Sequence, residues 1–71
     1  MMCTMSFDGS PIRTISFNEE LRYDREKGEM QTLIDGEVRS ATLIRAGLED
    51  KLLLAAVVIE LERRGYTVLA P

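Results

Sequence analysis

The chain has 71 residues, 45% hydrophobic and 30% charged, with nine basic against twelve acidic side chains and a formal net charge of −3. That length sets the expectation of one small domain over 1–71, and that charge balance argues against a protein whose main work is coating nucleic acid, which needs a basic face. A single cysteine, Cys3, and no histidine exclude an internal disulfide, zinc sites of the usual cysteine–histidine type, and serine–histidine or cysteine–histidine nucleophile pairs.

The N-terminal part reads as short strands. Met5-Ser6-Phe7 leads into the turn-rich Asp8-Gly9-Ser10-Pro11, and Ile12-Arg13-Thr14-Ile15-Ser16-Phe17 is rich in β-branched residues. These form either a hairpin with a four-residue loop or, with residues 1–11 as a loose segment, a lone strand. Asn18-Glu19-Glu20 is polar and reads as a loop.

The middle carries the clearest β pattern. Leu21-Arg22-Tyr23-Asp24 is followed by the charged tetrad Arg25-Glu26-Lys27-Gly28, whose glycine suits a positive φ. Glu29-Met30-Gln31-Thr32-Leu33-Ile34 and Glu37-Val38-Arg39-Ser40-Ala41-Thr42 flank Asp35-Gly36, the pair that favours a two-residue hairpin turn. That turn sets Ile34 opposite Glu37, Leu33 opposite Val38 and Thr32 opposite Arg39. Leu33 and Val38 then share one face, and Met30, Ile34 and Ala41 the other. Neither face is cleanly apolar, so the turn rather than the pattern sets the register. The whole segment predicts a three-stranded antiparallel meander.

Thr42-Leu43-Ile44-Arg45 suits either strand or helix. From Gly47 or just before it the chain turns helical, and residues 48–64 span roughly 25 Å at about 1.5 Å per residue. Glu49 and Asp50 sit in the first turn and Arg63 and Arg64 in the last, as the helix dipole favours. Glu60 and Arg64 form a favourable i,i+4 pair, and Gly65 supplies the stop. Tyr66-Thr67-Val68-Leu69-Ala70 predicts a short final strand before Pro71.

The helix contains the longest unbroken apolar run, residues 52–59, well short of the ~20 residues of a membrane span. Residues 1–7 lack the basic start and long apolar stretch of a secretory signal, so a cytoplasmic location is expected. The run is apolar around two full turns, whereas a helix lying on one sheet buries only a stripe ~100° wide. Either Ala55 and Ala56 lie outward and loops cover the rest, or the far side packs on another molecule. The second reading places Leu53, Leu54, Val57, Val58 and Leu61 at a homodimer interface.

Ile15-Ser16-Phe17, Tyr23-Asp24, Gly28, Ile34-Asp35-Gly36, Val38-Arg39 and Leu48-Glu49-Asp50 together resemble a family of short bacterial proteins filed as domain of unknown function 1488. The resemblance covers about residues 15–50, and its motifs are mostly turn chemistry. The apolar run at 52–59 departs from that family's pattern. The resemblance implies a small α+β fold and no activity, and it transfers no catalytic or binding residue.

Several residues are candidates for recognition. Tyr23 with Asp24 makes either a surface pair or a cross-strand aromatic beside a turn-initiating aspartate. Arg39 and Arg45, with Arg13 and Arg22, make either a basic strip able to touch phosphate or solvated strand residues. Glu19, Glu20, Glu26 and Glu29 are either a divalent-cation cluster or a solvated rim, and they lack the spacing of a calcium loop. Cys3 has no basic neighbour in sequence to lower its pKa, so it is expected to be a thiol without a role.

These readings predict an α+β protein, a small antiparallel β-sheet (three-stranded meander plus short flanking strands) packed on one long C-terminal helix. It is expected to be a non-enzymatic protein-interaction module or small regulator of bacterial or mobile-element origin. Its expected partner is itself, as a homodimer, with a host or cellular protein as the alternative. No catalytic residue, cofactor or metal is expected, and neither a membrane nor, in first place, a nucleic acid. The alternatives are a phage or plasmid inhibitor of a host defence component and a nucleic-acid binder using the sheet arginines.

Overall fold

The computed structural model describes residues 1–45 and 49–69. In chain order the elements are β1 (Met2–Thr4), β2 (Ser6–Phe7), β3 (Thr14–Asn18), β4 (Leu21–Asp24), β5 (Glu29–Ile34), β6 (Glu37–Leu43), the helix α1 (Asp50–Arg63) and β7 (Thr67–Leu69). The class is α+β. Strands β2-β3-β4-β5-β6 form an antiparallel sheet in sequential order, and β1 pairs with β7 in a separate two-stranded sheet.

The predicted meander is present and is longer than expected. Two tight turns hold it. At Asp35-Gly36 both residues have positive φ, 52° and 79°, the backbone of a two-residue hairpin loop whose twist matches the strands it joins. At the other end the Gly28 amide donates to the Arg25 carbonyl (3.2 Å) and the Lys27 amide to Asp24 Oδ1 (3.2 Å), so the aspartate caps its own turn. The first hairpin also forms, but the antiparallel pairing of Phe7 with Ile15 leaves residues 8–13 as its loop, not residues 8–11.

The register of β5 on β6 departs from expectation after two pairs. Ile34 opposes Glu37 and Leu33 opposes Val38 as the turn dictates, but Thr32 opposes Ser40, not Arg39. A β-bulge at Arg39 absorbs the extra residue. Without it Arg39 would stand beside Thr32 on the face that carries Met30, where an unpaired guanidinium would lose its water. The slip also moves Ala41, which opposes Gln31, while Thr42 opposes Met30. Ala41 therefore lies on the face away from Met30, not with it.

The core forms between the inner sheet face and the helix. Ile15 and Phe17 of β3, Leu21 and Tyr23 of β4 and Met30 of β5 are buried with Ile12, Cys3 and the helix residues Leu53, Val57 and Leu61. The three helix residues recur at i, i+4 and i+8, a narrow stripe. The helix opens at Asp50 with Glu49 at the N-cap; the start expected at Gly47 or Leu48 lies outside the described residues. It ends one residue before Arg64, with Gly65 at φ 91°. The Gly65 amide donates to Glu62 O and the Tyr66 amide to Leu61 O, both at 3.0 Å, the paired bonds of a Schellman stop.

Residues 1–11 are not a loose segment. β1 runs parallel to β7, with Cys3 opposite Val68, and the Thr67 amide donates to the Met1 carbonyl (2.7 Å). The predicted final strand is thus the partner of the chain's first strand; Ala70 and Pro71 lie outside the described residues.

Candidate interaction surface

Most of the polar chemistry of the chain is spent on holding the fold. Asp50, at the helix start, accepts from the Arg25 guanidinium and from the Ile12 amide (3.3 Å), and Arg25 Nη1 also donates to the Ile12 carbonyl (3.1 Å). The Arg25 hydrogen bond holds the Asp50 carboxyl below its usual range. This clamp ties the helix N-terminus to the β2–β3 loop and to the β4–β5 turn. It borders an open cleft of about 610 Å³ lined by Pro11, Ile12, Arg13, Thr14, Asp24, Arg25 and Glu26. At the other end of the helix Glu60 accepts from Arg63 (2.8 Å) and Arg64 (2.9 Å), and chiefly the Arg64 bond lowers its pKa. Arg64 Nη2 donates in turn to Thr42 Oγ1 of β6 (2.8 Å).

The expected site residues divide sharply by position. Tyr23 is no surface residue: it is fully buried, and its hydroxyl donates to the Ile44 carbonyl (3.1 Å). Burial pushes its pKa up. The cross-strand alternative is what the structure shows, with Tyr23 between Ile15 and Met30. Leu53, Val57 and Leu61 have no exposed surface, because the fold spends them on its own core; they are not available to a second copy. Leu54 and Val58 are half-buried. The large apolar helix residues left in solvent are instead Leu52, 53% exposed, and Ile59, 60% exposed, with the small Ala55 exposed beside them.

Arg39 and Arg45 are exposed, on and just beyond β6. Arg22 is not free to join them in a strip: its Nε donates to Gln31 Oε1 (2.8 Å) across the β4–β5 pair. Gln31 Nε2 donates to Glu29 Oε1 (3.1 Å), so a carboxylate interrupts the basic run. The four glutamates are not one cluster either. Glu19 and Glu20 sit in the β3–β4 turn and Glu26 in the β4–β5 turn, at opposite ends of β4. Among the described residues no group of three histidine, cysteine or acidic side chains is placed to hold a metal ion. Cys3 is buried, and desolvation raises its thiol pKa, the reverse of what nucleophilic reactivity requires.

What remains unspent is the edge strand β6. All seven of its residues are exposed, among them Leu43 at 79% and Val38 at 44%. β6 has β5 on one side and, among the described residues, no strand on the other. The Ile44 amide donates to the Gly28 carbonyl (2.7 Å), so it points at β5. Backbone amides alternate in direction along an antiparallel strand, which turns those of Leu43 and Ala41 to solvent. Such a row of outward donors and acceptors is a template for another strand. Sequence reasoning weighed Arg39 and Arg45 but passed over this edge; the lack of an apolar alternation in residues 37–43 was the available signal.

No helix among the described residues is long and apolar enough to cross a membrane. Comparison with family models, with curated proteins and with solved structures finds no match to this chain.

Proposed function

We propose that the chain is a non-enzymatic protein-interaction module, or small regulator, of bacterial or mobile-element origin, which docks a partner by adding a strand to β6. One observation carries the reading: a seven-residue strand, laddered on one side except at the bulge, leaves every side chain exposed and its outer backbone edge without a strand among the described residues. Strand addition takes affinity from main-chain hydrogen bonds and specificity from alternate side chains, and β6 supplies both. Natural edges are guarded by short length, cover, charged side chains or bulges, and β6 carries a bulge at Arg39 that leaves residues 40–43 as its regular stretch. β6 is long, and its bulge keeps Arg39 out of the core-facing row.

The remaining polar groups support a module over an enzyme. The carboxylates with lowered pKa, Asp50 and Glu60, are each bonded to arginines, and the Tyr23 hydroxyl is bonded to a carbonyl.

Ala41→Pro tests the reading. Its amide faces solvent, so proline removes no β5–β6 hydrogen bond and is tolerated at such an edge, yet it blocks a new strand. Wild type and variant are immobilised and exposed to lysate of the source cell. The expected result is a protein retained by the wild type and lost from Ala41→Pro, with slowed exchange of the Ala41 and Leu43 amides in the complex. Equal retention by both, or unchanged exchange of those amides, refutes docking at this edge.

A further inference from the structure

We infer that the Asp35-Gly36 turn is a site of spontaneous backbone modification, where Asp35 converts to isoaspartate through a cyclic imide, and that the fold directs this chemistry to residue 35 over residue 8. The chain contains two Asp-Gly pairs, Asp8-Gly9 and Asp35-Gly36. In both, the glycine has no side chain to keep its amide nitrogen from the preceding carboxyl group. The sequence alone does not rank the two pairs; their geometry does. In the reaction the Gly36 amide nitrogen attacks Cγ of Asp35 in its carboxylic acid form. The N–Cγ bond forms, a Cγ–O bond breaks, and water leaves with the amide proton and the acid proton. Water then opens the imide. Opening at Cγ restores aspartate, whereas opening at the backbone carbonyl carbon leaves the chain running through Cβ and Cγ, longer by a methylene group.

Ring closure eclipses the Gly36 nitrogen with Cβ of Asp35, which requires ψ of about −120° at Asp35, the value of the first central residue in a type II′ turn. With an ordinary negative φ that ψ lies outside the allowed regions. Asp35 already has a positive φ, 52°, and Gly36 follows at 79°, a type I′ turn. Rotating the peptide plane between them converts I′ to II′. The φ of Asp35 is kept, and the φ of Gly36 turns negative, as glycine allows. Both turns close a two-residue hairpin, so the strands need not part. Both residues are exposed, and among the described residues the Asp35 carboxylate has no hydrogen-bond or ion-pair partner. No atom stands within 4 Å of a Cβ placed on Gly36. Asp8 is exposed too, but its φ is not positive. Its Oδ1 accepts from the Thr14 amide (3.4 Å) and hydroxyl (3.5 Å), and the Pro11 carbonyl stands 3.2 Å from a Cβ placed on Gly9. Conversion at residue 35 lengthens the loop that sets Ile34 opposite Glu37, and so loosens the register of β6 at its start.

The experiment incubates the folded chain in oxygen-18 water at neutral pH, beside the same chain unfolded in guanidinium chloride, and then digests both with trypsin in ordinary water. Cleavage after arginine and lysine places Asp8 in residues 1–13 and Asp35 in residues 28–39. Opening of the imide leaves an oxygen-18 atom in the peptide, and the isoaspartyl form separates from the aspartyl form at equal mass. Unfolded, the two peptides should take up label at similar rates. Folded, residues 28–39 should take it up roughly tenfold faster than residues 1–13, because Asp8 must first be driven into a sparsely populated backbone region. Asp35→Asn, which keeps the turn, should react faster still, with loss of ammonia. Asp35→Gly keeps the turn as well and should leave residues 28–39 unlabelled. Folded-state labelling of residues 1–13 that equals or exceeds that of residues 28–39 overturns the inference. So does a folded chain whose residues 28–39 stay unlabelled while the unfolded chain reacts, because the turn then shields Asp35.

Discussion

β4 and β6 lie two places apart in one sheet and have opposite fates. Every residue of β4 is at least half-buried, and Leu21 and Tyr23 are in the core; no residue of β6 is buried. Composition does not separate them, since both mix apolar and charged residues. Position does. β4 has a strand on each side and shares the core with the helix stripe Leu53, Val57, Leu61, whereas β6, among the described residues, pairs with β5 alone. The interior strands are held by packing. β6 is held by its ladder, by its turn and by the Arg64 contact to Thr42. Among the described residues the chain thus keeps its core away from the longer of the two edges of this sheet.

The comparison is most easily broken from the core side. Leu53→Ala removes a fully buried side chain and should cost about 2–5 kcal/mol. Domains are stable by only about 0.05–0.15 kcal/mol per residue, so this one change is expected to remove a large share of the chain's stability and to move the midpoint of a urea titration well down. A loss under about 1 kcal/mol would mean that the stripe is not the keystone of the core.

A smaller effect is expected at the clamp. Asp50 binds its proton less tightly folded than unfolded, because Arg25 bonds the carboxylate. The clamp's contribution is therefore complete above the ordinary aspartate range. It declines as pH falls through that range and is lost once pH has dropped through the depressed native pKa. Asp50→Asn lacks the charge at every pH. Thermal melts should show the wild type more stable than Asp50→Asn at neutral pH, with the gap closing in acid. A gap that stays constant into acid would show that the carboxylate charge contributes nothing.

The parts of this contrast that were legible in the sequence are those with few chemical solutions. Two successive positive-φ positions admit little besides Asp-Gly, and a left-handed residue after a helix admits little besides glycine, so the turn at 35–36 and the stop at Gly65 were readable. The bulge at Arg39 was not, since a bulge adds one residue without any required residue type and flips every later side chain. Nor was the β1–β7 pair, whose partners are some 65 residues apart in the chain and leave no local periodicity. The helix concealed its own direction: residues 52–59 are apolar on every side, so nothing local distinguished Leu53, Val57 and Leu61, which face the core, from Leu52 and Ile59, which do not. That is why the interface was expected on the stripe that the fold consumes.

The smallest effect belongs to the edge. Leu43→Ser alters a side chain that is 79% exposed and lies opposite Glu29, so it should change stability by no more than about 0.5 kcal/mol. It should nonetheless weaken retention of the partner that Ala41→Pro loses, because alternate side chains give a docking edge its specificity. A large loss of stability would show Leu43 covered within its own chain, and the contrast between β4 and β6 would then be one of degree. A small change in stability with the partner fully retained would keep the edge free but remove Leu43 from the docking contact. Only a lost partner without lost stability joins the exposure of β6 to its use.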